Sequence, residues 1–433
     1  MTHRPLDAAE RAAVQRRVLR VLTLGQVVGA AALASAVTVG AFVVQGILGQ
    51  ETPWAGIATA TVTMGTAFMS QALSRLMGRR GRRPGLQLGY LLAALGGLVA
   101  AAGADRELLP LFLVGLFLFG NGQASNLLAR YAAADLAHAD ERGRAMSRIL
   151  FASTFGAVLG PVLVAPAQHV GQAWLGLEPY SGPWLFSAVV FLGAAANTGL
   201  RLRPDPLVLA GGLSAGPGAG AAATSPPARQ TFTVIASRPR ARLALAAMII
   251  SQATMVAVMT MTPVHLKVHG HEGVSAYVIS AHVAGMFAFS PLVGRYSDRR
   301  GRLPAILVGS GFLVGAALLA SLAGDVEQLL FPALWLLGVG WSFGLIGGSS
   351  LLVDSVPPAE RVGVQGGADL LMSACGGLAG FSSGFLRSAF GFPVLSTLAA
   401  FVAGILLVLV VGARRSFPVD SVLPADREAA LSQ

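Results

Sequence analysis

Residues 74–83, SRLMGRRGRR, and residues 294–303, GRYSDRRGRL, are two versions of one turn. Their shared glycines, Gly81 and Gly301, lie 220 positions apart, about half of the 433-residue chain. Each turn follows one long apolar stretch and precedes another. Two basic, glycine-centred turns at matching places in two hydrophobic halves predict a duplicated helical membrane protein.

Composition points the same way. The chain is 54% hydrophobic and 12% charged, more apolar surface than a soluble chain of this length can bury. Apolar stretches of about 20 residues, each enough to cross a hydrocarbon core of about 30 Å, recur along it. Twelve spans are predicted, at 21–47, 53–77, 85–104, 108–131, 147–168, 183–200, 242–264, 273–294, 304–323, 328–352, 366–386 and 393–412.

Charge sets the expected orientation. With the N-terminus inside, only Arg106, Lys267 and Arg387 of the 31 Lys and Arg fall outside. This bias is the positive-inside rule, and an even number of spans places both termini in the cytoplasm. The net charge of +11 then faces the anionic inner leaflet. Basic runs confined to short turns between spans do not make a nucleic-acid-binding face. Arginine outnumbers lysine thirty to one, which points to a GC-rich bacterial genome and hence a bacterial cytoplasmic membrane. The single Cys375, inside a predicted span, excludes a disulfide framework or a cysteine metal cluster. The first apolar run is too long for a cleavable signal core and reads as a retained span.

The predicted organisation is a six-helix bundle over 1–200, a linker over 201–240, a second bundle over 241–416 and a cytoplasmic tail over 417–433. The linker contains AGGLSAGPGAGAAATSPPARQ (210–230), too small and too rich in Pro and Gly to form a core, and reads as flexible. A short amphipathic piece, Phe232–Ile235, is expected on the membrane surface. A second repeat supports the duplication: DLAHADER (135–142) matches DSVPPAER (354–361) at an offset of 219.

These turns resemble the signature of the major facilitator superfamily, G-x-L-x-D-R-x-G-R-R between the second and third helices, with a weaker copy between the eighth and ninth. Leu76, Arg79, Gly81, Arg82 and Arg83 match the first copy; Gly294, Asp298, Arg299, Gly301 and Arg302 match the second. The resemblance spans nearly the whole chain. It implies twelve helices in two pseudo-symmetric bundles and a secondary transporter with no cofactor. One departure is that Gly78 occupies the acidic position of the first copy. Either Asp298 carries the gating latch, or the closed state is held more loosely. A carboxylate at Asp298 suits a latch, because it can accept backbone N–H groups at a neighbouring helix start and pair with an arginine. Gly156, Gly160 and Pro161 partly resemble the family's antiporter motif on the fifth helix. Plain close packing explains them equally well. The family's fourth-helix arginine is absent from its usual place near Leu118, and Arg130 reads as a later residue at the inner helix end.

Ionisable groups inside a bilayer need a reason. Asp369 on the eleventh span is the first candidate for proton coupling. The alternative is an ion pair with Arg79 or Arg82 at the inner gate. His282 on the eighth span can relay protons, or can be a neutral histidine hydrogen-bonded to a neighbouring helix. Asn121, Gln123 and Asn126 on the fourth span, and Gln252, Met255 and Met259 on the seventh, are candidate substrate contacts on helices that line the central path in the family. Methionines suit varied apolar ligands, and also ordinary packing. His265, His269 and His271 near Glu272 read as a solvated loop rather than a metal site.

The expected function is alternating-access transport of a small amphipathic or hydrophobic molecule by a monomer, with export driven by inward proton flow. Proton-coupled uptake of a specific metabolite is the alternative. No nucleophile–base pair, carboxylate pair or metal motif supports an enzyme.

Overall fold

A computed structural model describes residues 7–49, 54, 57–178, 180–211, 228–270, 274–323 and 326–416. The tail at 417–433, His271, Glu272 and the centre of the linker lie outside the described residues. The described chain is mostly helical, and helices run along the described part of every predicted span, with breaks at Leu163 in the fifth and at Ala288 and Phe289 in the eighth. The first half contains α1 (Ala8–Leu48), α2 (Ile57–Arg80), α3 (Arg82–Asp105), α4 (Leu109–Ala134), α5 (Arg142–Val162), α6 (Val164–Leu175) and α7 (Gly182–Arg201). Two linker helices follow, α8 (Pro206–Leu209) and α9 (Ala228–Ser237). The second half contains α10 (Pro239–Val268), α11 (Ser275–Phe287), α12 (Ser290–Arg300), α13 (Arg302–Leu322), α14 (Leu330–Asp354) and α15 (Pro358–Ser416).

Nine helices among the described residues are long and apolar enough to cross a membrane, and ten if the bent pair α5–α6 counts as one span. Two features separate that number from the expected twelve. Helix α15 runs through two predicted spans and leaves helical geometry at Gly391, φ +84°. Helix α2, about 36 Å long by its 24 residues, is diluted by Thr, Ser, Gln and two terminal arginines. Phe385 and Phe401 are 64% and 68% exposed, the kind of large apolar surface that hydrocarbon covers.

The two signature turns share one backbone. Gly81 sits at φ 96°, ψ 170° and Gly301 at φ 96°, ψ 164°, a region that only glycine enters without strain. Each glycine ends one helix and starts the next. The end of the molecule that carries both turns is called the basic end below.

Apolar side chains form two cores, one centred on α1–α7 and one on α10–α15. Small residues let the helices approach closely. A Cβ at Gly156 would stand 2.5 Å from the Val27 carbonyl oxygen, and one at Gly160 would stand 2.7 Å from that of Ala31. Both glycines therefore pack α5 against α1 within one half, while Pro161 falls just before the bend into α6. Gly376 and Gly380, 220 positions later, face Gln252 and Val256 and pack α15 against α10 in the same manner. The motif that resembles an antiporter signature thus makes a repeated packing contact.

The stretch expected to be flexible lies mostly outside the described residues, and the flanks of the linker are held by the halves. Asp205 caps α8 through Leu207 and also accepts the Arg83 backbone N–H at 2.7 Å, at the start of α3. Helix α9 lies on the protein: Ile235 is buried, and Thr231 and Phe232 pack against Gly367 of α15. Arg238 pairs with Glu360. The expected membrane-surface position of Phe232–Ile235 is replaced by docking on the second half.

Candidate functional site

The polar groups that join the halves gather toward the basic end. In sequence these charges read as gate turns, and the structure shows which partners they hold. Arg82 is fully buried and makes a bidentate pair with Asp135, Nε to Oδ2 at 2.8 Å and Nη2 to Oδ1 at 3.0 Å. The same Nη2 donates to the Gln365 side-chain oxygen of the other half at 2.8 Å. Burial pushes the Asp135 carboxyl up from its ordinary range, and Arg82 opposes that shift. In the second half Arg302 repeats the pattern, pairing with Asp354 at 3.1 Å and with Asp298 at 2.5 Å. Asp135 and Asp354 open the two copies of the second sequence repeat, which carried no role at that level.

Asp298 reaches across the halves to the first turn of α5. It accepts the Gly143 N–H at 2.9 Å and the Arg144 N–H at 2.7 Å. The partial positive charge of a helix N-terminus favours a carboxylate there. Nearby, Ser290 donates to the Ser147 carbonyl at 3.0 Å. Gly78 removes the equivalent carboxylate from the first copy. Arg79 and Arg299 are exposed at the ends of α2 and α12, and Arg83 binds the Gly199 carbonyl within its own half.

The centre of the seam holds a group that sequence reading set aside. Arg130 of α4 is fully buried, and its Nη2 lies 2.5 Å from Asp369 Oδ1 on α15 of the other half. Its Nε donates to Ser349 of α14 at 3.1 Å, its Nη1 to the Leu127 carbonyl at 2.5 Å, and its Nη2 to the Tyr131 hydroxyl at 3.0 Å. The guanidinium also lies 4.3 Å from the centre of the Tyr131 ring. Asp369 is fully buried, and its Oδ2 has no partner. The partner expected for Asp369 was Arg79 or Arg82. Arg82 is committed to Asp135 and Gln365, and Arg79 is exposed, so Arg130 takes the place. A lone arginine in the last turns of a span is a weak signal by itself. Its having a carboxylate mate in the other half was the signal to look for.

His282 does not join this pair. It is buried in the second half, with Nδ1 2.9 Å from the Leu334 carbonyl. Leu334 and Ser349 are 15 residues apart on α14, about 22 Å along its axis. The two residues first considered together for proton coupling therefore occupy different depths. His265, expected in a solvated loop, is buried and stacks on Phe392 at 4.4 Å. Among the described residues no His, Cys, Asp and Glu cluster can hold a metal ion.

The substrate candidates separate as well. Asn126 accepts the Tyr90 hydroxyl at 3.0 Å and abuts Gly29, between helices of the first half. Asn121 donates to the Leu118 carbonyl of its own helix, and Gln123 is half-buried. Gln252 is different: its Oε1 accepts the Trp341 indole N–H at 2.7 Å, and its stem lies against Gly376. Trp341 meets Phe287 edge-on. Met255 is buried and Met259 half-buried on the same helix.

The described chain is thus a repeated pair of helical halves joined by a polar seam. The chain belongs to the Major Facilitator Superfamily, whose family model matches residues 22–287 and 272–431. It is 36% identical over 406 residues, 92% of each chain, to YdeG, an uncharacterized MFS-type transporter of Bacillus subtilis (strain 168). It is 28% identical over 409 residues to the riboflavin transporter RfnT of Brucella anthropi, covering 92% of this chain and 96% of that one. Among solved structures, the human organic anion transporter MFSD10 (TETRAN) shares the fold, with a TM-score of 0.71 and 17% identity over 92% of this chain and 99% of that one. The chain is a multi-pass membrane transporter and not an enzyme.

Proposed function

We propose that the chain moves a small amphipathic or hydrophobic molecule across the bacterial cytoplasmic membrane by alternating access, with the basic end in the cytoplasm and export coupled to inward proton flow. The observation that carries this reading is the Arg130–Asp369 pair, a bolt between the halves that must break when the basic end opens. A carboxylate is the natural release for such a bolt, because a proton on Asp369 removes its charge and with it the ion-pair attraction to Arg130. Asp298 on the start of α5 and Arg82 on Gln365 are secondary latches. His282 acts in packing. Gln252, held by Trp341 beside Met255 and Met259, is the polar contact for substrate.

The second reading is proton-coupled uptake of a specific metabolite, and the riboflavin transporter among the relatives favours it. Transport into right-side-out and inverted vesicles under an imposed proton gradient separates the two. Riboflavin and a panel of amphipathic cations and anions serve as solutes. Export predicts gradient-driven accumulation in inverted vesicles that Asp369→Asn abolishes. Equal accumulation with and without the gradient sinks the coupling.

A further inference from the structure

A cavity opens at the basic end between the two halves. Tyr131, Asp135 and Arg142 of the first half, Arg361 and Gln365 of the second, and Leu207 of the linker form part of its wall. Its volume is about 30 Å³, room for one or two waters. Neither Arg130 nor Asp369 lines it. Tyr131 both forms part of the cavity wall and touches the bolt. Its hydroxyl is 3.0 Å from Arg130 Nη2 and 3.5 Å from Asp369 Oδ1.

We infer that Tyr131 is the proton port of the bolt, the hydroxyl through which Asp369 exchanges protons with the basic-end cavity while the halves are closed. The inference rests on reading Asp369 as a protonated release. A hydronium ion in the cavity gives a proton to the Tyr131 oxygen and is left as water, and the hydroxyl's own proton passes to Asp369 Oδ1. Tyr131 ends neutral, Asp369 ends neutral, and one proton has moved from cavity to carboxyl. Arg130 keeps its charge throughout, because guanidinium does not titrate in this range. Its stacking on the Tyr131 ring and its hydrogen bond to the hydroxyl hold the port in place.

Among the described residues, three charged or titratable groups act on Asp369. Arg130 and Tyr131 face Asp369 from α4, and Arg82 of α3 acts on it by charge from farther away. Along this stretch of α15 the other helices present uncharged groups: Gln71 from α2, Thr231 from α9, Gln252 from α10 and Ser349 from α14. Tyr131 is fully buried, so exchange requires its hydroxyl to turn toward the cavity that its residue lines.

The test is time-resolved infrared spectroscopy of the full chain in nanodiscs after a downward pH jump. The band to follow is the protonated-carboxyl stretch that disappears in Asp369→Asn. In Tyr131→Phe that band is expected to grow at least tenfold more slowly but to the same final height, and imidazole in the buffer restores the rate. Tyr131→His, which keeps a transferable proton, is expected to stay within about threefold of the wild type. A tyrosine that only supports Arg130 would change the final height and the titration position, leave the rate alone and ignore imidazole, which overturns the port. A wild-type rate in Tyr131→Phe also overturns it while leaving the bolt intact. If the wild type shows no such band, the bolt reading itself fails and the port falls with it.

Discussion

Replacing Asp369 with Asn tests the bolt directly, because the side chain keeps its shape and loses its charge. In the closed seam Arg130 would retain Ser349, Tyr131 and the Leu127 carbonyl as acceptors but no counter-ion. Removing one partner of a buried pair costs about 3–5 kcal/mol, and the amide oxygen of Asn recovers part of the lost hydrogen bond, so about 3 kcal/mol is the working figure. Once the basic end opens, Arg130 meets water and the cost disappears. The penalty therefore falls on the closed state, and 3 kcal/mol is a factor of about 150 in the equilibrium. A protein closed 99 times in 100 becomes about 40% closed. The change is read as a distance between dyes at Arg80→Cys and Arg300→Cys, exposed positions at the ends of α2 and α12, in a Cys375→Ser background. Asp369→Asn is expected to populate a longer separation. Adding Arg130→Gln removes the stranded charge and is expected to restore most of the closed population, since paired neutral replacements are often tolerated. An unchanged distance distribution in Asp369→Asn, or no recovery in the double variant, refutes the reasoning.

Four further outcomes follow from the contacts. Asp298→Ala leaves the first N–H groups of α5 and the Arg302 guanidinium without their shared carboxylate, a loss of about 2 kcal/mol from charge-assisted bonds, and the dye pair should show the closed-to-open ratio falling at least tenfold. Gly81→Ala combines about 1–3 kcal/mol of backbone strain with a Cβ 2.5 Å from Asp205 Oδ2; at Gly301 the nearest atom is 3.6 Å away. Melting of the two variants in detergent should therefore show Gly81→Ala as the less stable. Gly156→Ala presses on the α1 backbone and should cost about 1–3 kcal/mol in the same assay. Gly376→Ala meets chiefly the flexible Gln252 side chain, so its signature should be a shift in Trp341 fluorescence with little loss of melting temperature.

What the sequence disclosed and what it hid divide by range. Glycine turns, apolar spans and the two offsets near 220 are local patterns repeated twice, so they were readable without coordinates. The need for Gly81 and Gly301 was also local, because their common φ of 96° excludes other residues. Partner identity was not readable. Arg130 and Asp369 are 239 residues apart, and nothing near either one announces the other. Asn126 looked like a pore residue because its helix lines the path in the family, yet its rotation about the helix axis turns it toward Tyr90. The flanks of the linker were equally hidden. Asp205 and Thr231 find a helix start and a glycine surface that only the folded halves provide.

Duplication also explains where the symmetry had to fail. The pairs Arg82–Asp135 and Arg302–Asp354 sit one in each half, and both copies can persist because neither meets its mate. Near the pseudo-twofold axis the mates converge. The position that corresponds to Arg130 at the 219-residue offset is Ser349, the residue that Arg130 itself touches. Two arginines there would place like charges side by side in a desolvated seam, so only one copy can carry the cation. The counterpart of Asp369 at the same offset is Leu150, a buried member of the second core, which leaves one carboxylate for one guanidinium. A single bolt between two repeated halves is therefore the arrangement that electrostatics permits. Asymmetry between aligned positions near the axis marks the functional charge more sharply than any motif within one half.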